Sequence, residues 1–292
     1  MIRLGSLAVL LILPVAGRSQ ASDDSEVRLK LFPAGLQFTP LKANSQESRI
    51  GIMKFLSAGE LVLDVGNTSD LFVLSLPRAG MSVAMGVDFF GKGFVTGSQG
   101  LRLQVDALDG FIGGHLSFSK NVSESRLIGR LRILHHSAHL VDGHYNVSDG
   151  RWIDNRGPIP FTRDFGEFTM GHLLPYPSGS LRYYAGVAYA VFVRPDDIGR
   201  LSYLGGAEGT LENLLGPFMD QPSQLYCAYH ISVTGTPVYA ASNQIQVGIK
   251  LGRWSGRGTD FYLAFYEGRQ LFGEFFDQRL TAFGAGCMVD FF

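Results

Sequence analysis

The chain has 292 residues, a net charge of −1, 17% charged and 12% aromatic residues, and 37 glycines. The charges are scattered without a long basic tract, which excludes a typical nucleic-acid-binding surface. Beyond the amino-terminal region no run of about 18 or more apolar residues occurs, so the sequence contains no helical membrane span. A composition rich in aromatic residues and glycine without such a span indicates a β-barrel or a β-sandwich.

The first 21 residues have the pattern of a secretory signal peptide. Arg3 precedes an apolar run from Leu4 to Ala16, and the small residue Ala21 comes just before an acidic stretch. The apolar run is too short to cross a bilayer, and Pro14 interrupts it. We therefore predict a signal peptide over residues 1–21, with cleavage after Ala21 and export of the chain.

Two regions follow the signal peptide. Residues 22–48 are predicted to be an extended periplasmic lead-in, because Pro33 and Pro40 interrupt any strand. Residues 49–292 form segments of about ten residues in which apolar and polar residues alternate, the pattern of a transmembrane β-barrel. In the clearest segment, Met81 to Phe89, one face is apolar and the other is small or polar.

Twelve such segments can be counted, and a bacterial barrel has an even number of strands. They are residues 49–56, 60–65 (with 71–76), 81–90, 101–108, 111–119, 126–137, 163–174, 181–193, 224–233, 244–251, 260–268 and 280–291. Residues 141–160 and 194–222 are predicted loops, and residues 209–218 of the second loop are expected to form a short helix. The prediction is an all-β fold, an antiparallel transmembrane β-barrel of about 12 strands in the outer membrane, with a polar and mostly filled lumen.

A cluster of histidines marks the candidate site. Four of the seven histidines lie between Arg130 and Tyr145, namely His135, His136, His139 and His144. Alternation puts His135 and Ser137 on one strand face, and Arg130 and Arg132 on the face expected to line the lumen. His135 and Ser137 are therefore expected to face lipid. A histidine beside a serine, oriented by a carboxylate, is the arrangement used for nucleophilic hydrolysis.

Residues 135–139, HHSAH, are similar to the H-x-S motif of the lipid A 3-O-deacylases, outer-membrane barrels with a lipid-facing triad of His, Ser and an acidic residue. The resemblance implies His135 as base and Ser137 as nucleophile, with Asp142 or Asp149 as the acid. Ala138 stands where that family has an asparagine of the oxyanion hole. The implied activity is hydrolysis of acyl chains of lipid A or phospholipid.

A second resemblance extends over most of the chain beyond the signal peptide. Five stretches resemble an uncharacterised bacterial outer-membrane family known as domain of unknown function 1207: residues 31–43, 137–145, 161–165, 181–189 and 266–276. The central motif of that family reads roughly SSHLGDE, which Ser137, His139, Leu140 and Asp142 match, whereas Ala138, Val141 and His144 depart from it. The resemblance implies an outer-membrane barrel and no particular activity.

Three interpretations of the histidine cluster stay open. The polar groups could hydrogen-bond one another to close a strand end, since polar groups near an apolar belt must be paired. His135, Ser137 and Asp142 could form a hydrolase site. His135, His139, His144 and Asp142 could bind a metal ion, although their spacing matches no standard metal site.

The remaining predictions concern orientation and partners. Counting twelve strands back from a periplasmic carboxyl terminus puts the histidine end of strand 126–137 on the periplasmic side, which disfavours a hydrolase of the outer leaflet. The expected partners are outer-membrane lipids, lipopolysaccharide and, during assembly, the barrel-insertion machinery, with no nucleic acid and no cofactor. Oligomeric state and a disulfide between Cys227 and Cys287 are left open.

Overall fold

The computed structural model describes residues 26–56, 60–98, 102–139, 145–146, 148–152, 155, 157–235 and 237–292. The predicted signal peptide, Asp142 and His144 lie outside these ranges. No helix in the described ranges has the length and apolar character needed to cross a membrane.

Within the described ranges the chain forms fifteen strands and two short 3₁₀ helices, Pro77–Ala79 and Gly273–Phe275. The strands are β1 (Arg28–Leu31), β2 (Ile50–Phe55), β3 (Leu61–Leu76), β4 (Met81–Ser98), β5 (Arg102–Val122), β6 (Ser125–His139), β7 (Tyr145–Asn146), β8 (Arg151–Trp152), β9 (Thr162–Tyr176), β10 (Gly179–Arg194), β11 (Leu201–Glu212), β12 (Ser223–Gly235), β13 (Tyr239–Gly252), β14 (Gly258–Arg269) and β15 (Arg279–Asp290).

Twelve of these strands close into an antiparallel barrel. Neighbours in sequence pair from β2 to β6 and from β9 to β15, β6 pairs with β9, and β15 returns to pair with β2. The predicted all-β, antiparallel barrel of about twelve strands is confirmed. Its place in a membrane remains a prediction.

The predicted number of strands is correct because two errors cancel. One predicted pair of strands is a single strand, and one strand was predicted to be part of a loop. β5 is one continuous strand where two, 101–108 and 111–119, were predicted. The dipeptide Asp109-Gly110 looks like a turn, and a bulge opposite Phe94 and Val95 shifts the strand phase. As a result Ala107, which simple alternation with Leu103 and Val105 would place on the outer face, is fully buried inside the barrel.

β11 occupies residues that were predicted to be part of a long loop. Its outward positions include Gly205, Ala207 and Gly209, which provide no large apolar residues to alternate with the inward Glu208. The predicted helix over residues 209–218 is also wrong, because the first four of these residues complete β11. Small side chains on the outer face concealed the alternation that marks the other strands.

The extra strand changes the orientation of the candidate site. We call the end of the barrel at which β15 finishes the C-terminal rim, and the other end the opposite rim. Seven barrel strands, β9 to β15, follow β6, so β6 ends at the opposite rim. The prediction that the histidine end of this strand lies on the same side as the carboxyl terminus was wrong, because the strand β11 was missing from the count.

The two faces of the wall have opposite chemistry. In β4 the side chains of Met85, Val87 and Phe89 are exposed on the outside, while Ala84 and Asp88 are buried inside. Other large apolar residues exposed around the wall include Leu103, Ile112, Leu116, Leu131, Ile133, Val187, Val191, Ile245, Val247, Phe261, Leu263 and Phe283. Buried charged residues on the strands include Asp64, Lys92, Arg130, Arg132, Glu167, Arg182, Glu208, Lys250, Asp260 and Asp290.

Gly66 in β3 provides a test of the barrel wall. Its φ is +154°, and an added Cβ would lie 2.2 Å from the Cα of Phe90 on β4. We expect Gly66→Ala to lower the free energy of unfolding by at least about 1–3 kcal/mol, because the alanine would strain the backbone and its Cβ would clash with Phe90. Urea unfolding of the refolded barrel in detergent measures this. Gly209→Ala is the control, because a Cβ there meets nothing within 4 Å, and an equal loss in both variants would contradict the explanation.

Candidate functional site

The structure places His135 on the outer face of β6, near the opposite rim. Its Nδ1 atom lies 2.6 Å from Oδ1 of Asp164 on the neighbouring strand β9, and each side chain is 47% exposed. Asp164 was not among the predicted site residues. Pairing the predicted strands 126–137 and 163–174 end to end as antiparallel neighbours places Asp164 within one residue of the position opposite His135, and the observed register places it directly opposite.

Ser137 lies on the same outer face, two residues further along β6, and is partly exposed. Within the described ranges no hydrogen bond joins its hydroxyl to the His135 ring. Asp142, the predicted acid, lies outside those ranges. The wall therefore brings together an imidazole oriented by a carboxylate and, on the same face, a serine that does not touch it.

Of the other histidines in the cluster, His136 and His139 lie on β6, and His144 lies outside the described ranges. His136 points into the barrel, where its Nε2 lies 2.9 Å from Oδ2 of Asp109, whereas His139 is exposed at the end of β6. In the part of the chain that the structure describes, no three His, Cys, Asp or Glu side chains are close enough together to hold a metal ion. Cys227 and Cys287 are free thiols on different strands, so the open question of a disulfide is answered against it.

A segment of the amino-terminal region fills much of the lumen. β1 and β2 pair with the same edge of β3 at its two ends, and the residues between them fold inward. We call residues 33–49 the plug. Phe38, Leu41 and Ala43 of the plug are almost completely buried. Residues 22–48 were predicted to be an extended periplasmic lead-in, and most of the plug comes from this stretch.

Lys42 anchors the plug beside the last two strands of the barrel. Its Nζ lies 2.7 Å from the carboxylate of Asp290 and 3.2 Å from that of Asp260, and its main-chain N–H donates to Glu208 at 2.6 Å. The same Asp290 also accepts a hydrogen bond from Lys250. Two carboxylates and two ammonium groups thus share a site from which water is largely excluded, so each charge depends on the others.

Glu47 anchors the other end of the plug to β6. Its carboxylate forms two hydrogen bonds with Arg130, at 2.5 and 3.0 Å, and lies 3.5 Å from Arg132. Arg132 in turn donates to Glu167 on β9 at 2.6 Å. Burial raises the pKa of Glu47, but the two guanidinium groups outweigh it and hold the pKa below its ordinary value of 4.5. The carboxylate is therefore charged at neutral pH, and its stabilising contribution is lost only as the pH falls below about 4.5.

Side chains of the wall also satisfy the irregular backbone of the plug. Arg182 donates to the carbonyl oxygens of Thr39 and Pro40, at 2.8 and 3.0 Å. Lys92 donates to the carbonyl of Ser45 at 2.6 Å. These carbonyl groups have no neighbouring strand to pair with, so the long cationic side chains take the place of a sheet partner.

A second segment closes the barrel from the opposite rim. The connection between β14 and β15, residues 270–278, folds inward and buries Phe272, Phe275 and Phe276. We call it the lid. The main-chain N–H of Gly273 in the lid donates to Oδ2 of Asp109 at 2.9 Å. Between lid and plug remains a cavity of about 120 Å³.

A hydrogen-bonded chain connects the lid to the plug along one wall of this cavity. It begins with Gly273 and Asp109 and continues to His136. The Nε of Arg163 lies 3.4 Å from Nδ1 of His136, and its Nη2 donates to Oε1 of the plug residue Gln46 at 2.9 Å. A displacement of either segment would therefore break contacts on which the other depends.

Comparisons with protein-family models, with curated proteins and with solved structures found no match. The resemblances to the two families described above therefore stay predictions.

Glu47 gives a test of the plug. Breaking a buried ion pair on one side costs about 3–5 kcal/mol, and each ~1.4 kcal/mol changes an equilibrium tenfold. We expect Glu47→Gln to raise the population with a displaced plug at least about a hundredfold, seen as frequent channel openings in planar bilayers at neutral pH. Glu26→Gln is the control, because Glu26 is exposed and makes no contact with the lumen. A silent Glu47→Gln variant would show that this pair does not hold the plug.

Proposed function

We propose that the protein is an outer-membrane barrel held closed by its plug and its lid, and that it admits solute only when these are displaced. The observation that carries the proposal is the reversed polarity of the wall, with apolar side chains outside and charged ones inside. A protein surrounded by water would expose a contiguous apolar surface far larger than the few hundred Å² that monomers normally expose. A hydrocarbon bilayer is the surrounding that removes this cost.

The rims support an orientation in that membrane. At the C-terminal rim, β5 and β6 are joined by residues 123–124, and β9 and β10 by residues 177–178. The connection from β6 to β9 at the opposite rim covers residues 140–161. Outer-membrane barrels have short periplasmic turns and longer extracellular loops, so we place the C-terminal rim in the periplasm. Export through the predicted signal peptide, assembly by the insertion machinery, and a shell of lipid and lipopolysaccharide follow from this location.

The filled lumen supports a gated conduit over a permanently open pore. The plug contributes an ammonium group and a carboxylate that match charges of the wall at several strands, and the lid covers the opposite end. Removing the plug would leave Arg130, Asp260 and Asp290 facing an aqueous path. The same charges that hold the plug would then line a polar channel.

The outer face provides the test of membrane insertion. Ile133 is exposed near the middle of β6, where a lysine facing lipid costs about 2–4 kcal/mol. We expect Ile133→Lys to lower the stability of the barrel in phospholipid vesicles by that amount, measured by urea titration. The control is Leu214→Lys, because Leu214 is exposed to a similar extent, 61% against 69%, but lies in the connection between β11 and β12. Equal stability of Ile133→Lys and the unaltered protein in vesicles would contradict a lipid-facing wall.

A second candidate function is hydrolysis of lipid acyl esters. It is favoured by the contact between His135 and Asp164 on the outer face, which supplies the carboxylate and the base of a triad beside Ser137. With the orientation proposed above, this pair lies towards the outer leaflet, where lipid A is found. Ser137 must then rotate or move towards the ring when a substrate binds.

Three substitutions test this candidate on the folded protein. His135→Ala, Ser137→Ala and Asp164→Asn should each reduce acyl release from lipid A or phospholipid by a factor of about a thousand or more, as expected for groups that act as one unit. His139→Ala should retain activity, because it removes another exposed histidine of β6. Unchanged acyl release by Ser137→Ala, with mass spectrometry as the measurement, would reject the hydrolase.

A further inference from the structure

The cations inside the barrel differ in whether they have a carboxylate partner. Six of them form ion pairs within 4.0 Å: Lys42, Lys92, Arg130, Arg132, Arg182 and Lys250. Among the described residues Arg49 of the plug, which donates to the carbonyl of Asn44, forms no such pair, and neither does Arg163, at the start of β9. Among the described residues no carboxylate oxygen lies within that distance of its guanidinium, although its side chain points into the same lumen.

Arg163 also uses only part of its hydrogen-bonding capacity. A guanidinium has five N–H donors. The described contacts of Arg163 use two of its nitrogen atoms, Nε towards His136 and Nη2 towards Gln46, and both partners are uncharged acceptors. Within the described ranges Nη1 makes no hydrogen bond. One edge of the cationic fork therefore has no partner among the described residues, and Arg163 borders the cavity between plug and lid.

Contacts with Phe165 and His136 fix the position of the Arg163 guanidinium. Its carbon Cζ lies 4.3 Å from the ring centre of Phe165, an arrangement in which the aromatic face stabilises the cation. Asp109 orients His136, which contacts Arg163. The fork is therefore directed before any ligand arrives, which reduces the entropy cost of binding.

The rest of the cavity surface is divided into an apolar and a polar wall. The apolar wall belongs to a buried cluster that includes Phe161, Phe165, Val193, Ile198 and Phe276. The polar part of the lining includes Ser232, Thr234 and Gln244 of β12 and β13, and the charged residues Glu167, Arg200 and Arg269 also border the cavity. A ligand that fills the cavity would therefore place an apolar body against one wall and a charged end at Arg163.

The volume limits the size of that ligand. An engineered apolar cavity of about 150 Å³ accommodates one benzene molecule, and the cavity here has about 120 Å³. The space suits a body of about that size, close to a single ring or a short chain. The planar fork of arginine matches a carboxylate, with two parallel hydrogen bonds.

We propose that the cavity between plug and lid binds a small monocarboxylate with an apolar body, anchored by Arg163. The carboxylate takes the free edge of the guanidinium, and the apolar body packs against the Phe161 and Phe276 wall. The proposal concerns the interior of the folded barrel and holds whether or not the barrel conducts solute. The ligand lies next to the residue that connects His136 to Gln46 in the hydrogen-bonded chain.

Fluorine NMR of the purified full-length protein in detergent tests the site with 4-fluorobenzoate as the probe. The probe should bind in a saturable manner and be displaced by benzoate. Neutral 4-fluorobenzamide and inorganic phosphate should bind at least tenfold more weakly, because one lacks the charge and the other the apolar body. Equal binding of the amide would overturn the role of charge, and equal competition by phosphate would overturn the apolar wall.

Substitutions locate the binding on the protein. Arg163→Gln should weaken 4-fluorobenzoate binding at least tenfold, while Arg194→Gln should not change it, because Arg194 is an exposed arginine of the same rim that pairs with Asp196. If Arg163→Gln does not fold, Ser232→Phe fills the cavity from the polar wall and should abolish binding with Arg163 intact. Undiminished binding in the folded Arg163→Gln or Ser232→Phe variant would overturn the proposal, whatever the bilayer experiments show.

Discussion

The contact between Glu47 and the two arginines of β6 is the interaction on which the interior depends. An isolated charge in an environment poor in water is very costly, so a wall that carries Arg130 and Arg132 inward requires an acidic partner. Glu167 on β9 supplies only one carboxylate for the two guanidinium groups. The second carboxylate comes from the plug. The wall and the plug therefore form one electrostatic unit, and the barrel is completed by a segment that belongs to none of its strands.

The wall could largely be predicted from the sequence, because each strand carries its own evidence in alternating residues. Where that evidence is weak the prediction failed, as at the outward glycines of β11 and the bulge near Ala107. The plug leaves no such local signal. Its contacts join residues far apart in the chain, such as Glu47 with Arg130 and Lys42 with Asp290, and an irregular backbone has no period.

For the candidate site on the outer face, the features that depend on neighbouring residues were predicted correctly, and the feature that depends on the whole later chain was not. The outward direction of His135 and Ser137 follows from a few neighbouring residues and was predicted correctly. To find Asp164 as the partner of His135, two adjacent strands must be paired, and both strands were among the predicted segments. To predict the rim at which the histidine end of β6 lies, every later strand must be counted. Missing β11 alone therefore assigned this end to the wrong rim. That correction also removes the argument that had placed the site away from the outer leaflet.

The two closures differ in how they are held, which has a consequence for opening. Ion pairs hold the plug, so its release exposes charges to water that can solvate them. The lid is held by buried aromatic rings and a main-chain hydrogen bond to Asp109, and lifting it exposes apolar surface that water solvates poorly. Because Asp109, His136 and Arg163 connect the lid to Gln46, a movement at one closure changes the hydrogen bonds of the other.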